Sequence, residues 1–73
     1  MNRYEFKKYI ETLGFKFYDY GLYEYEELIV NSWNHGYNLY NGYEWIYYAY
    51  DDLTPLLKLS RSIKLKKILK YLD

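Results

Sequence analysis

Seven carboxylates (Asp19, Glu24, Glu26, Glu27, Glu44, Asp51 and Asp52) stand among ten tyrosines and both tryptophans between Lys16 and Lys58, a span without lysine or arginine. Three chemistries can be asked of such residues. Paired carboxylates serve general acid–base catalysis, a histidine beside a hydroxyl activates a nucleophile, and aromatic rings among charges make contact surfaces.

The spacing gives catalysis little footing. Glu26 and Glu27 are adjacent, and on a regular strand they point to opposite faces. Asp51-Asp52 precede Leu53-Thr54-Pro55 and read as the exit from a sheet into a capped helix. His35 is the single histidine and lies in the turn-forming stretch Asn31–Gly36, with only Ser32 nearby as a hydroxyl. There is no cysteine, so thiolate metal sites are excluded, and one histidine cannot build a multi-histidine zinc site. None of the four glycines has the spacing of a phosphate loop. The expectation is a non-enzymatic chain with no cofactor and no metal.

The aromatic and acidic residues are the better candidates. Glu24, Glu26, Tyr40, Tyr43, Glu44, Trp45 and Tyr47 form the expected partner-binding set. Tyrosine hydroxyls interspersed with carboxylates, free of nearby cations, suit a basic groove that otherwise receives phosphate. The flanks have the opposite sign. Arg3, Lys7, Lys8 and Lys16 outnumber Glu5 and Glu11 in the first eighteen residues, and Lys58, Arg61, Lys64, Lys66, Lys67 and Lys70 outnumber Asp73 in the last twenty. A formal net charge of zero therefore hides a segregated field able to steer a charged partner.

Positioning those residues takes few elements. Asn2 caps a helix over residues 3–13, Glu5 completes a capping box, and Phe6, Tyr9, Ile10 and Leu13 share one face. Gly14 sits at the left-handed C-terminal cap. The period then changes to two, predicting strands at 15–20 and 23–31 around Gly21. Asn41-Gly42 between Tyr37–Tyr40 and Tyr43–Tyr48 predicts a two-residue type I′ hairpin with Tyr40 opposite Tyr43. Its faces carry Tyr40, Tyr43, Trp45 and Tyr47 on one side, and Tyr37, Ile46, Tyr48 and Tyr50 on the other. Thr54 reads as an N-cap and Pro55 as the first residue of a helix, with a break at Ser60-Arg61-Ser62. Beyond it Leu65, Ile68, Leu69 and Leu72 share a face, opposite Lys66, Lys67 and Lys70, with Ile63 on the basic side.

The fold class is therefore α+β, a four-stranded antiparallel sheet with both helices on one face (α-β-β-β-β-α), in one domain spanning 1–73. At 73 residues without disulfides a core supplies only ~3–5 kcal/mol of net stability, so aromatic burial or self-association must substitute for staples. The absence of cysteine fits a reducing compartment. No secretory pattern follows Met1, and no stretch nears the ~20 apolar residues of a membrane span, so a cytoplasmic protein without a membrane partner is expected.

Tyr, Asn, Lys, Ile and Phe are abundant while Ala49 and Pro55 are single, the bias of AT-rich coding DNA from a low-GC bacterium or its phage. In size, absence of cysteine and its concentrated acidic-aromatic stretch, the whole chain resembles small phage-encoded inhibitors of host or defence proteins, among them anti-CRISPR proteins. That likeness implies a module that inhibits a bacterial protein by occupying a surface, and it transfers no individual residue. Two other readings compete. The basic C-terminal helix could track nucleic acid, though carboxylates among the aromatics would repel phosphates. The aromatic face could instead join copies in a homodimer or larger assembly.

Overall fold

Asn2 starts the first element as its chemistry dictates. Its side chain accepts from the Glu5 amide at 2.8 Å, and the Glu5 carboxylate accepts from the Asn2 amide at 3.3 Å. Helix α1 then runs Arg3–Thr12, burying Phe6 and Ile10. It ends in a Schellman cap: the Gly14 amide donates to the Glu11 carbonyl and the Phe15 amide to Ile10, with Gly14 at φ +104°. In this computed structural model residues 1–72 are described, the side chain of Leu72 excepted; Asp73 lies outside the described residues.

Five strands follow: β1 (Lys16–Asp19), β2 (Leu22–Tyr25), β3 (Leu28–Ser32), β4 (Gly36–Tyr40) and β5 (Trp45–Ala49). They form one antiparallel meander in chain order. The sheet thus has five strands where the sequence predicted four, because the span 23–31 is folded back on itself. Tyr25 pairs with Leu28, so Glu26 and Glu27 form a two-residue turn and not the middle of a strand. Glu26 sits at φ +55°, unusual for a residue with a Cβ, and its carboxylate is held by the Lys67 ammonium.

The β4–β5 connection also departs from expectation. Tyr40 pairs with Trp45, leaving Asn41–Glu44 as a four-residue loop. The Asn41 side chain accepts from the amides of Tyr43 and Glu44, both at 2.9 Å, and the Asn41 amide donates to the Glu44 carbonyl. That Asx turn replaces the tight I′ turn. The register slips by an even number of residues, so the residues that remain in the strands keep their faces, while Tyr43, expected opposite Tyr40, falls in the loop.

Helix α2 covers Thr54–Leu72 without a break. The Leu53 carbonyl accepts from the Leu57 amide, so the helix begins one residue earlier than Thr54 as cap would require. Ser60 does not interrupt it. Its buried hydroxyl donates back to the Leu57 carbonyl at 3.1 Å, which lets a serine sit in the core without an unmet donor.

The core gathers Phe6 and Ile10 from α1, the inner sheet face (Tyr23, Leu28, Val30, Tyr37, Leu39), Phe15 and Tyr50 from the connections, and Leu56 and Ile63 from α2. Its centre is aromatic: Phe6 stacks on Tyr37 with centroids 4.7 Å apart and tilts against Tyr50 at 4.8 Å. The Tyr37 hydroxyl donates to the Asp52 carbonyl at 2.6 Å, and the Tyr50 hydroxyl donates to the Trp33 carbonyl. Burial pushes both phenols above the ordinary range, Tyr37 the further, with the Asp52 carboxylate adding to it.

Two outcomes are expected. A Cβ at Gly36 would lie 2.8 Å from Tyr47 Cζ and closer still to the Tyr48 backbone carbonyl, which cannot swing aside. Gly36→Ala should cost about 1–3 kcal/mol in a urea melt, as overpacking does.

Tyr37 gives the second. Its folded pKa lies above the ordinary 10.0, so the folded state keeps a proton that the unfolded chain releases. Its contribution is intact below pH 10.0 and is lost as pH rises above that value. Tyr37→Phe should cost about 1 kcal/mol at neutral pH through the lost hydrogen bond. The deficit relative to wild type should shrink between about pH 10 and 11, and a deficit that stays constant would show that the phenol does not titrate differently on folding.

Candidate functional site

Register places the candidate residues in rows across the sheet. Lys16, Glu24, Ile29, Tyr40 and Trp45 are successive cross-strand partners, and Leu22, Asn31, Asn38 and Tyr47 form the next row on the same face. Neither helix covers this face, since the core residues of β3 and β4 alternate toward the other side. Trp45 and Tyr47 are each about half exposed, and Tyr43 in the loop is 89 % exposed. Tyr40 is more sheltered because its ring lies 5.3 Å from that of Trp45. Tyr47 lies over Gly36, and the missing side chain there makes room for its ring.

A cleft of about 270 Å³ opens on this face between Tyr18, Leu22, Glu24, Ile29 and Trp45. Tyr18, Leu22 and Ile29 were not among the candidates. Their signal lies in the alternation Leu22-Tyr23-Glu24 and Leu28-Ile29-Val30, which becomes readable once the chain is turned at Glu26-Glu27. Ile29 then falls on the outer face between two buried neighbours.

The carboxylates are distributed differently from a continuous patch. Glu24 lies within the outer face, where Asp19 also pairs with Leu22 at its β1 end, and Lys16 is the cross-strand neighbour of Glu24, so the face is not free of cations. Glu26, Glu27 and Glu44 sit in the β2–β3 and β4–β5 connections, which share one end of the meander. Their closeness shows at Gly42, where a Cβ would touch Glu27 Cγ at 3.6 Å. Asp19, Asp51 and Asp52 lie toward the opposite end. Glu26 stands apart from the other candidates: it pairs with Lys67, the only ion pair among the described residues, and raises that ammonium's pKa through the hydrogen bond.

The remaining polar groups hold structural posts. The Ser32 hydroxyl is buried and donates to the Gly21 carbonyl at 3.2 Å. His35 is exposed in the β3–β4 connection. Among the described residues no three His, Asp or Glu side chains converge as metal ligands would. What the outer face offers is aromatic contact area edged by carboxylates, with Glu24, Tyr40, Trp45 and Tyr47 on the sheet and Tyr43 and Glu44 at its tip. No protein-family model, curated protein or solved structure matches this chain.

The two faces should respond differently to truncation. Phe6→Ala empties the aromatic core and should cost about 3–5 kcal/mol. Trp45→Ala removes one half-exposed cross-strand pair and should cost no more than about 1 kcal/mol. Equal losses in thermal melts would mean that the outer aromatics are structural.

Proposed function

We propose that this protein is a non-enzymatic binding module that inhibits a bacterial host or defence protein, such as a CRISPR effector, by laying its open sheet face on a basic surface of the target. The observation that carries the reading is the uncovered outer face, where Trp45 and Tyr47 are half exposed beside Glu24. Aromatic rings held rigidly on strands give contact area at low entropic cost, and Tyr and Trp are enriched where binding energy concentrates.

Size sets which residues must take part. Five strands of about five residues span roughly 20 by 17 Å. A specific interface needs ~800 Å² per partner, more than that rectangle supplies. Tyr43 and Glu44 at the loop tip and Tyr18 at the β1 edge extend it. Glu24 and Glu44 supply the charge that accelerates docking on a basic target.

Nucleic acid fits the other side of the molecule less well. Lys66, Lys67 and Lys70 share a cleft with Glu26 and Glu27, so part of the basic helix is already neutralised. Binding to DNA or RNA at physiological salt is not expected.

The test uses the intact protein as bait in a low-GC bacterial lysate, beside a Trp45→Ala/Tyr47→Ala bait that keeps its fold. Wild type should capture a protein that the double variant loses, and adding free wild type should inhibit that protein's activity. Glu24→Lys/Glu44→Lys should slow association about tenfold and flatten its salt dependence. Capture unaffected by the aromatic pair, or capture without inhibition, would overturn the reading.

A further inference from the structure

Helix α2 reverses its polarity halfway along. Its first half buries Leu56, Ser60 and Ile63, spaced i, i+4, i+7. Continued at 3.6 residues per turn, that line reaches Lys67 and Lys70, which lie beside Glu26 and Glu27 and not in an apolar core. Leu65, Ile68 and Leu69 fall roughly on the opposite side of the helix. They are 58 %, 56 % and 53 % exposed. The sequence showed this stripe as one apolar face with Ile63 on the basic side; the structure points the stripe at solvent and buries Ile63, and the Leu72 side chain lies outside the described residues.

We infer that this stripe docks on an anionic membrane surface, with α2 lying in the plane of the interface. Three observations select that occupant. First, of the six cations in Thr54–Leu72, Lys67 is paired with Glu26 on the opposite side, whereas Lys58, Arg61, Lys64 and Lys66 around the stripe have no ion-pair partner among the described residues, so the complement of this side is anionic. Second, Lys64 and Lys66 flank the stripe on either side, and Lys58 and Arg61 continue it toward the helix start. Long cationic side chains so placed reach headgroups while the apolar residues enter the acyl boundary. Third, the stripe lies on the side of α2 away from the core, so a flat surface tangent to it clears the rest of the domain. A groove in a protein needs no such clearance.

A second copy fits less well. Two such helices would set Arg61, Lys64 and Lys66 against the same cations at flanks where paired helices need opposite charges. Three leucine-sized side chains also fall well short of the ~800 Å² per partner that a stable dimer buries. That no helix among the described residues is long and apolar enough to cross a membrane is no obstacle, since lying on a bilayer takes one apolar face only.

The experiment is co-sedimentation of the full chain with vesicles of equal phosphatidylglycerol and phosphatidylcholine, beside pure phosphatidylcholine, at about 0.15 M salt. Wild type should partition at least about tenfold more strongly into the anionic vesicles. Leu65→Gln/Ile68→Gln/Leu69→Gln should lose roughly tenfold of that partitioning with an unchanged melting temperature, because all three side chains are exposed. Should that variant fold poorly, Lys64→Gln/Lys66→Gln tests the same site through loss of the anionic preference. Absence of wild-type partitioning, or partitioning unaltered in either variant, overturns the inference. So does a wild-type dimer that the leucine variant converts to monomer, which would assign the stripe to a second copy. The surface lies opposite the sheet face, so this result stands or falls independently of target capture.

Discussion

Tyr37 is the residue on which the domain turns. Its ring is fully buried against Phe6 of α1 and near Tyr48 and Tyr50, while its hydroxyl reaches the Asp52 carbonyl in the turn that leads into α2. One side chain thereby ties the first helix, the sheet and the entry to the last helix. A phenylalanine would fill the same space and leave that carbonyl without its phenol donor. Tyr50 repeats the device at the Trp33 carbonyl. In a chain without disulfides, such phenols combine apolar area with a polar tip that fixes irregular backbone. The tyrosine-rich composition therefore has two parts: Tyr37 and Tyr50 are fasteners, and the outer tyrosines are the proposed contact surface.

Local chemistry was legible where partners lie within a few residues. The α1 box and its Schellman cap could be read from Asn2, Glu5 and Gly14, because capping needs only short-range hydrogen bonds. Asn41-Gly42 located the last hairpin and missed its loop length, since the Asn41 side chain competes with the backbone for the same amides. The alternation of faces survived because a strand repeats every two residues. The Glu26-Glu27 turn was hidden: it has no glycine, asparagine or proline, and the residue at positive φ is secured by Lys67, distant in sequence. Helix α2 misled for a related reason. Its strongest apolar stripe is not its buried one, and only the position of the body decides which side of a helix is inside.

Charge follows the layers more than the chain. Carboxylates collect at the sheet's turns and cations along α2, and among the described residues the two sets meet in one ion pair, Glu26 with Lys67. The two surfaces with uncovered apolar groups, the sheet's outer face and the outer side of α2, look in opposite directions and carry opposite signs at their margins. A partner on one leaves the other free, so the proposed protein target and lipid surface would not compete for residues.

The meander also orders events in time. Every strand pairs with the one made just before it, and the connections between strands are only two to four residues long. Short closures cost little chain entropy, and hairpins of this kind form in ~1–10 μs. A growing chain can therefore assemble its sheet strand by strand as it is synthesised. Two long-range steps remain: the settling of Phe6 between Tyr37 and Tyr50, which must wait until the last strand has emerged, and the docking of Leu56 and Ile63 of α2, which comes later still. Until then the inner aromatics stand uncovered, and the hazard of misassembly is confined to that interval.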